Sequence, residues 1–171
     1  MAVSDVEAVE IIDALAAAGV RSWLVGGWGV DALAERVTRT HRDVDLMVLG
    51  DHLERAVGVL VERGFRVTTD WLPVRIELDD GIHVVDLHPM HPSPAGGWWQ
   101  AAPEGGRYDY PVDAWTSGLL GGRTVECACV ALQLAAHSSY EPRPVDRHDL
   151  AVLQGLIDGS EASDDAPGDS S

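Results

Sequence analysis

Leu24 to Leu49 reads "LVGGWGVDALAERVTRTHRDVDLMVL"; a glycine pair, Gly26-Gly27, opens a helical stretch, and Asp43 and Asp45 interrupt an apolar one. Neither feature serves a hydrophobic core. The alternation in "DVDLMVL" predicts a strand with Val44, Leu46 and Val48 on one face and Asp43 and Asp45 on the other. Two carboxylates on one face repel each other unless a divalent cation neutralises them. Magnesium suits such a pair, because it takes hard oxygen ligands and is usually held by one or two carboxylates plus substrate phosphates. The glycines, at a strand end and a helix start, offer backbone N–H groups and the helix dipole to phosphate oxygens.

Upstream of this stretch, Ser4 and Glu7 form a capping box, and Val6, Val9, Ile12, Leu15 and Ala16 recur at helical spacing until Gly19. "RSWLVGG" then supplies a short strand that delivers the chain to the glycines. Downstream, Asp51 with Glu54 reads as a second capping box for "HLERAVGVLVER", closed by Gly64. Three strand-like runs follow, "FRVTT", "VRIELDD" and "IHVVDLHP", with Asp79-Asp80-Gly81 as the turn between the last two. The third run carries Asp86 among apolar residues, where an unpartnered carboxylate is costly. Three inward acids from two strands fit a two-metal phosphoryl or nucleotidyl transfer site better than a core.

From His91 to Arg107 the chain is rich in Gly, Pro and Trp without periodicity, which predicts a long functional loop. "RTVEC" reads as one more strand, and "VALQLAAHSSY" and "VDRHDLAVLQGLI" as closing helices separated by "EPRP". The expected architecture is an α/β or α+β domain over residues 1–157, a mixed sheet flanked by helices with a small C-terminal helical part. Residues 158–171 are composed like a disordered acidic tail.

The chain holds 28 acidic residues against 12 basic ones, all of them arginine, for a net charge of −16. With the five acids of the tail set aside the excess persists, and it repels a polyanion. Nucleic-acid binding, which needs clustered Lys and Arg on phosphates, is therefore not expected, whereas a small cationic substrate would be drawn in. No run reaches the roughly 18 apolar residues of a membrane span, and no signal peptide is apparent, so a cytoplasmic protein is expected. Cys127 and Cys129 are too close for an unstrained disulfide and are expected to be reduced thiols.

The pattern "GGWGVD", then "HRDVD", then a strand aspartate in "VVDLHP" resembles the nucleotidyltransferase superfamily of the DNA-polymerase-β type. Specifically, it looks like the small antibiotic-modifying members, the lincosamide nucleotidyltransferases and the aminoglycoside 2''-adenylyltransferases. "DLHP", "PEGG" and "HSSY" extend the likeness to the lincosamide branch over most of the chain apart from the tail. The resemblance implies transfer of a nucleoside monophosphate, AMP from ATP foremost, to a hydroxyl of a small antibiotic, with release of pyrophosphate and with two magnesium ions. A lincosamide is favoured over an aminoglycoside as acceptor. Asp43 and Asp45 would hold the metals, Gly26 and Gly27 would contact the triphosphate, and Asp86 would be a third metal ligand or the general base. Polymerase-like members usually carry Gly-Ser at the phosphate loop; Gly-Gly-Trp here leaves backbone amides to take over from the hydroxyl. A homodimer is implied as well.

Around this centre, Arg39 and Arg42 are candidates for the triphosphate, since guanidinium forks suit phosphate oxygens, although either could simply neutralise a neighbouring aspartate. Trp98 and Trp99 are candidates for stacking on the acceptor, and Glu104 for a hydrogen bond to it. Trp28 reads as core, His41 as a turn or supporting residue, and His88, His137 and Tyr140 as structural. Two rival readings remain open: a non-catalytic nucleotide-binding module, such as a nucleotidyltransferase-like antitoxin, and an enzyme that nucleotidylylates a protein hydroxyl.

Overall fold

Ser4 caps the first helix as its spacing requires, accepting from the Glu7 amide while Glu7 reaches back to the Ser4 backbone. This helix, α1 (Asp5–Ala17), buries Ala8, Ile11 and Leu15. The computed structural model describes residues 2–137 and 141–164, with the backbone alone for 160–164. After α1 come β1 (Ser22–Leu24), α2 (Gly26–Ala34), β2 (Asp43–Leu49), α3 (Leu53–Glu62), β3 (Arg66–Trp71), β4 (Arg75–Asp79) and β5 (Val84–Pro92). The chain continues through β6 (Trp98–Ala101), β7 (Arg107–Tyr110), β8 (Trp115–Leu120), β9 (Arg123–Ala128), α4 (Val130–His137) and α5 (Pro144–Asp164). The sheet is mixed, as expected.

Its order is β3-β4-β5-β2-β1-β9-β8, with β6 and β7 attached to the end of β5. β2 runs parallel to β5, and β1 parallel to β9, whereas the remaining neighbours are antiparallel. The alternation along β2 holds: Val44, Leu46 and Val48 are fully buried and join Ala8, Leu15, Ala56 and Leu60 in the main core. One face of β2 is thus covered by α1 and α3, and truncating Leu46 to alanine there would cost about 2–5 kcal/mol. The opposite face carries Asp43 and Asp45, then Met47, which belongs to a second cluster with Trp23 and Met90.

Four features differ from the sequence expectations. The segment from His91 to Arg107 is not a long loop. The end of β5, β6 and β7 form an antiparallel meander with His91 paired to Trp99 and Gln100 to Tyr108. Its four-residue strands, separated by Gly-rich turns, are too short to show a period. The Asp51–Glu54 capping box does not form. A 3-10 turn at Gly50–His52 leads into α3, so the N-cap is His52 and makes no side-chain bond. β8 goes unassigned in the sequence, because "WTSGLL" is exposed over much of its length and has no apolar alternation. α5 continues to Asp164, into the segment whose composition suggested a tail at 158. Residues 138–140 of "HSSY", Tyr140 included, and tail residues 165–171 lie outside the described residues. Among the described residues, no helix is long and apolar enough to cross a membrane.

Candidate active site

The parallel pairing of β2 with β5 sets Asp45 opposite Asp86 and Asp43 opposite Val84, so carboxylates from two strands meet on the uncovered face of the sheet. β4 adds Glu77, which lies opposite Asp86 on its other side. Arg75 sits between these acids, ion-paired to Asp86 and 3.4 Å from Glu77. Burial raises the Asp86 pKa above its ordinary value; His88 and Arg75 work to lower it, and Asp45 adds to the rise. Arg75 occupies Oδ2 of Asp86, whereas Oδ1 is buried with no hydrogen-bond partner among the described residues.

Asp45, Asp86 and His88 each offer a ligand atom within 4.8 Å of the others. The surrounding hydrogen bonds give the histidine a different task. Gln100 accepts from the Tyr110 hydroxyl at 2.7 Å, and its amide nitrogen faces the Val74 carbonyl at 3.3 Å and His88 Nδ1 at 3.4 Å. With Nδ1 accepting, Nε2 carries the proton and faces Asp45 Oδ1 at 3.4 Å. His88 thus orients Asp45, and the donor set for a cation consists of carboxylate oxygens. A buried Asp86 Oδ1 without a donor among the described residues, close to a second carboxylate, suits either a hard divalent cation or an incoming proton. Asp43 lies outside the tight group; it shares the face but leans on Arg42 at 3.3 Å and is 36% exposed at its side chain.

The glycine turn abuts the acids. Gly26 has φ +59, and a Cβ there would stand 2.6 Å from Asp45 Oδ2, so the left-handed backbone and the close approach both require glycine. A Cβ on Gly27 would collide with Arg39 Nη2 and His41 Nδ1. Behind the turn, His41 is buried against Trp28, ring centroids 4.1 Å apart, with Nε2 on the buried carboxylate of Asp31.

The remaining candidates separate. Arg39 stands beside Gly27, and its guanidinium is held bidentately by Asp149 at 2.7 Å for both bonds. Arg42 is 80% exposed at its side chain and pairs with Asp43. Alternation along β6 parts the two tryptophans. Trp98, with Gln100, faces the acid side and packs on Trp23 at 6.1 Å, whereas Trp99 stacks on His91 at 4.7 Å with Arg107 above it. Glu104 is exposed in the β6–β7 turn and makes no hydrogen bond or ion pair among the described residues. Sequence reasoning read His88 as structural and did not single out Glu77 or Gln100; the place of His88 at the site was findable. That histidine lies two residues after Asp86 on the same strand and therefore on the same face.

The model of the aminoglycoside-2''-adenylyltransferase family matches residues 7–153. A lincosamide resistance protein of Staphylococcus haemolyticus is 32% identical over 155 residues, covering 90% of this chain and 96% of that protein. A 2''-aminoglycoside nucleotidyltransferase of Klebsiella pneumoniae is 32% identical over 123 residues, covering 66% of this chain and 62% of its own length. Among solved structures, the lincomycin-bound lincosamide adenylyltransferase LnuA superposes with a TM-score of 0.83 at 31% identity, over 91% of this chain and 99% of that one. Matched by the family model over most of its length and nearly a third identical to the Staphylococcus protein along nearly all of it, the chain belongs to the aminoglycoside-2''-adenylyltransferase family of antibiotic-modifying nucleotidyltransferases.

Proposed function

We propose that this chain transfers AMP from ATP to a hydroxyl of a lincosamide. The observation that supports the reading most directly is the Asp45–Asp86 register beside Gly26, which sets an acid able to take a proton next to a turn built for phosphate. Asp43 and Asp45 would hold magnesium, which when bound would neutralise triphosphate charge and favour departure of pyrophosphate. The amides of the Gly26–Gly27 turn bind the triphosphate, with Arg39 and Arg42 at its rim. Asp86 serves as general base. Its raised pKa and its partner-free Oδ1 suit acceptance of the proton from the attacking hydroxyl, whose oxygen bonds to the α-phosphorus as the bond to pyrophosphate breaks.

The acceptor wall is aromatic. Trp98, Tyr110 and Trp115 pack over the buried Trp23 beyond Met47 on the acid side of the sheet, a surface suited to an acceptor with an alkyl arm. The match over nearly the full length of the lincosamide resistance protein of Staphylococcus haemolyticus independently favours a lincosamide. An aminoglycoside is the second reading, favoured by the family model and by a net charge of −16, which attracts polycations. In either reading the acceptor meets Trp98 rather than Trp99, which alternation turns to the other face, and the enzyme acts in the cytoplasm, where ATP is held, as a homodimer.

The test is pyrophosphate release from ATP and GTP with magnesium across lincosamides and aminoglycosides, with mass spectrometry of each acceptor. A gain of one AMP on a lincosamide is expected. The same gain on aminoglycosides alone moves the acceptor assignment, and no turnover with any of them overturns the reading.

A further inference from the structure

Behind the glycine turn lies a chain of contacts of which the reading above uses only the ends, the glycines and Arg39. Gln133, 1% exposed, donates from Nε2 to the Gly26 carbonyl at 3.3 Å, and a Cβ on Gly29 would collide with the same nitrogen. One helical turn further along α4, His137 Nδ1 lies 2.8 Å from the Gln133 carbonyl. The other ring nitrogen, Nε2, lies 3.3 Å from Asp149 Oδ2. Asp149 is 1% exposed and accepts both Arg39 bonds, and Arg39 in turn abuts Gly27. The contacts leave the turn at Gly26 and return to it at Gly27.

Both nitrogens of His137 therefore face acceptors, a carbonyl and a carboxylate, and only the imidazolium satisfies the two together. The Asp149 hydrogen bond raises the His137 pKa above its ordinary value; burial opposes the rise, and the Gln133 carbonyl and the charge of Asp146 add to it. The charged groups around it are Asp149 and Asp146 of α5, with Arg39 beyond the first and Arg143 on the second. Carboxylates stand nearest among the described residues, and they favour the protonated ring.

We propose that His137 is a positioning residue for the donor nucleotide: its imidazolium fixes Asp149, and through it Arg39, at the edge of the triphosphate-binding turn. The inference rests on the nucleotidyltransferase reading above. Loss of the His137 proton turns one ring nitrogen into an acceptor facing an acceptor. The Asp149–Arg39 unit then loosens and nucleotide binding weakens, while the acids on β2 and β5 are untouched.

The test is binding of a non-hydrolysable ATP analogue with magnesium from pH 7 to 9.5, for the wild type, His137→Gln and Asp149→Asn, with thermal melts alongside. Wild-type affinity is expected to fall as pH rises. His137→Gln should bind about tenfold more weakly at pH 7, the size of one lost hydrogen bond to a charged group, and its affinity should be flat with pH. A purely structural histidine would lower the melting temperature without changing the pH profile. Wild-type affinity in His137→Gln, or an alkaline loss that persists in it, overturns the proposal. Should that variant fail to fold, Asp149→Asn and the wild-type profile decide: a flat wild-type profile overturns it, and a flat, weakened one for Asp149→Asn beside a sloping wild type supports it. Failure of the wild type to bind the analogue at any pH overturns the nucleotidyltransferase reading as well, and no other outcome does.

Discussion

Asp86 carries opposing demands: burial and Asp45 disfavour its charge, Arg75 and His88 favour it, and one of its oxygens is left without a donor. Removing its neighbour's charge should therefore stop the reaction without harming the fold. Asp45→Asn is expected to lower turnover by about 10³-fold or more, because a cation ligand is lost. Its melting temperature without metal should be no lower than that of the wild type, since a repulsion is relieved. Pyrophosphate release and a thermal melt check both halves, and a strongly destabilised variant would mean that the pair is structural. Asp149 gives the opposite sign. Burial alone would push its pKa up, but the Arg39 and His137 bonds hold it down to about 2. Its stabilising contribution is present above the unfolded carboxylate value and is lost as pH falls from about 4 towards 2, a loss of about 2 kcal/mol in total. Acid titration followed by circular dichroism should show this phase in the wild type and not in Asp149→Asn. The acids themselves were legible from alternation along two strands. Their supporting residues were not, since Gln100 and Asp149 reach the site from elements distant in the chain and carry no local pattern.

At the scale of elements, α2 begins with a glycine whose side-chain space is already taken by Asp45. Gly26→Ala is expected to cost about 1–2 kcal/mol from the left-handed backbone alone. It should cost more in activity than in stability, because the intruding methyl displaces Asp45 rather than a core residue. Urea denaturation compared with turnover separates the two, and an active Gly26→Ala would show that the turn tolerates a side chain. Strong local signals made α1, β2, β4 and β5 readable: a complete capping box in the first, two-residue alternation in the others. The meander of β6 and β7 escaped because its stability comes from pairing with β5 and from Trp98 on Trp23, both non-local. Asp51 and Glu54 had the right spacing for a cap, but the 3-10 turn from Gly50 placed His52 at the cap position instead.

Over the whole molecule, 28 acids against 12 arginines put the fold under mutual repulsion that salt relieves. The melting temperature is expected to rise with sodium chloride. At matched ionic strength magnesium should raise it further, by about 2.7 kcal/mol of stabilisation when its concentration is a hundred times its Kd. The magnesium excess should vanish in Asp45→Asn while the salt effect remains; an equal response of both proteins would place the cation elsewhere. The parallel partnership of β2 with β5 has a consequence for synthesis. Two strands side by side in the same direction cannot be joined by a tight turn, and His88 meets Asp45 across 43 positions, Arg39 meets Asp149 across 110. A chain still emerging from the ribosome therefore holds Asp43, Asp45 and both glycines long before the last helix arrives to brace them. On the proposed reading, competence for donor binding waits for that helix.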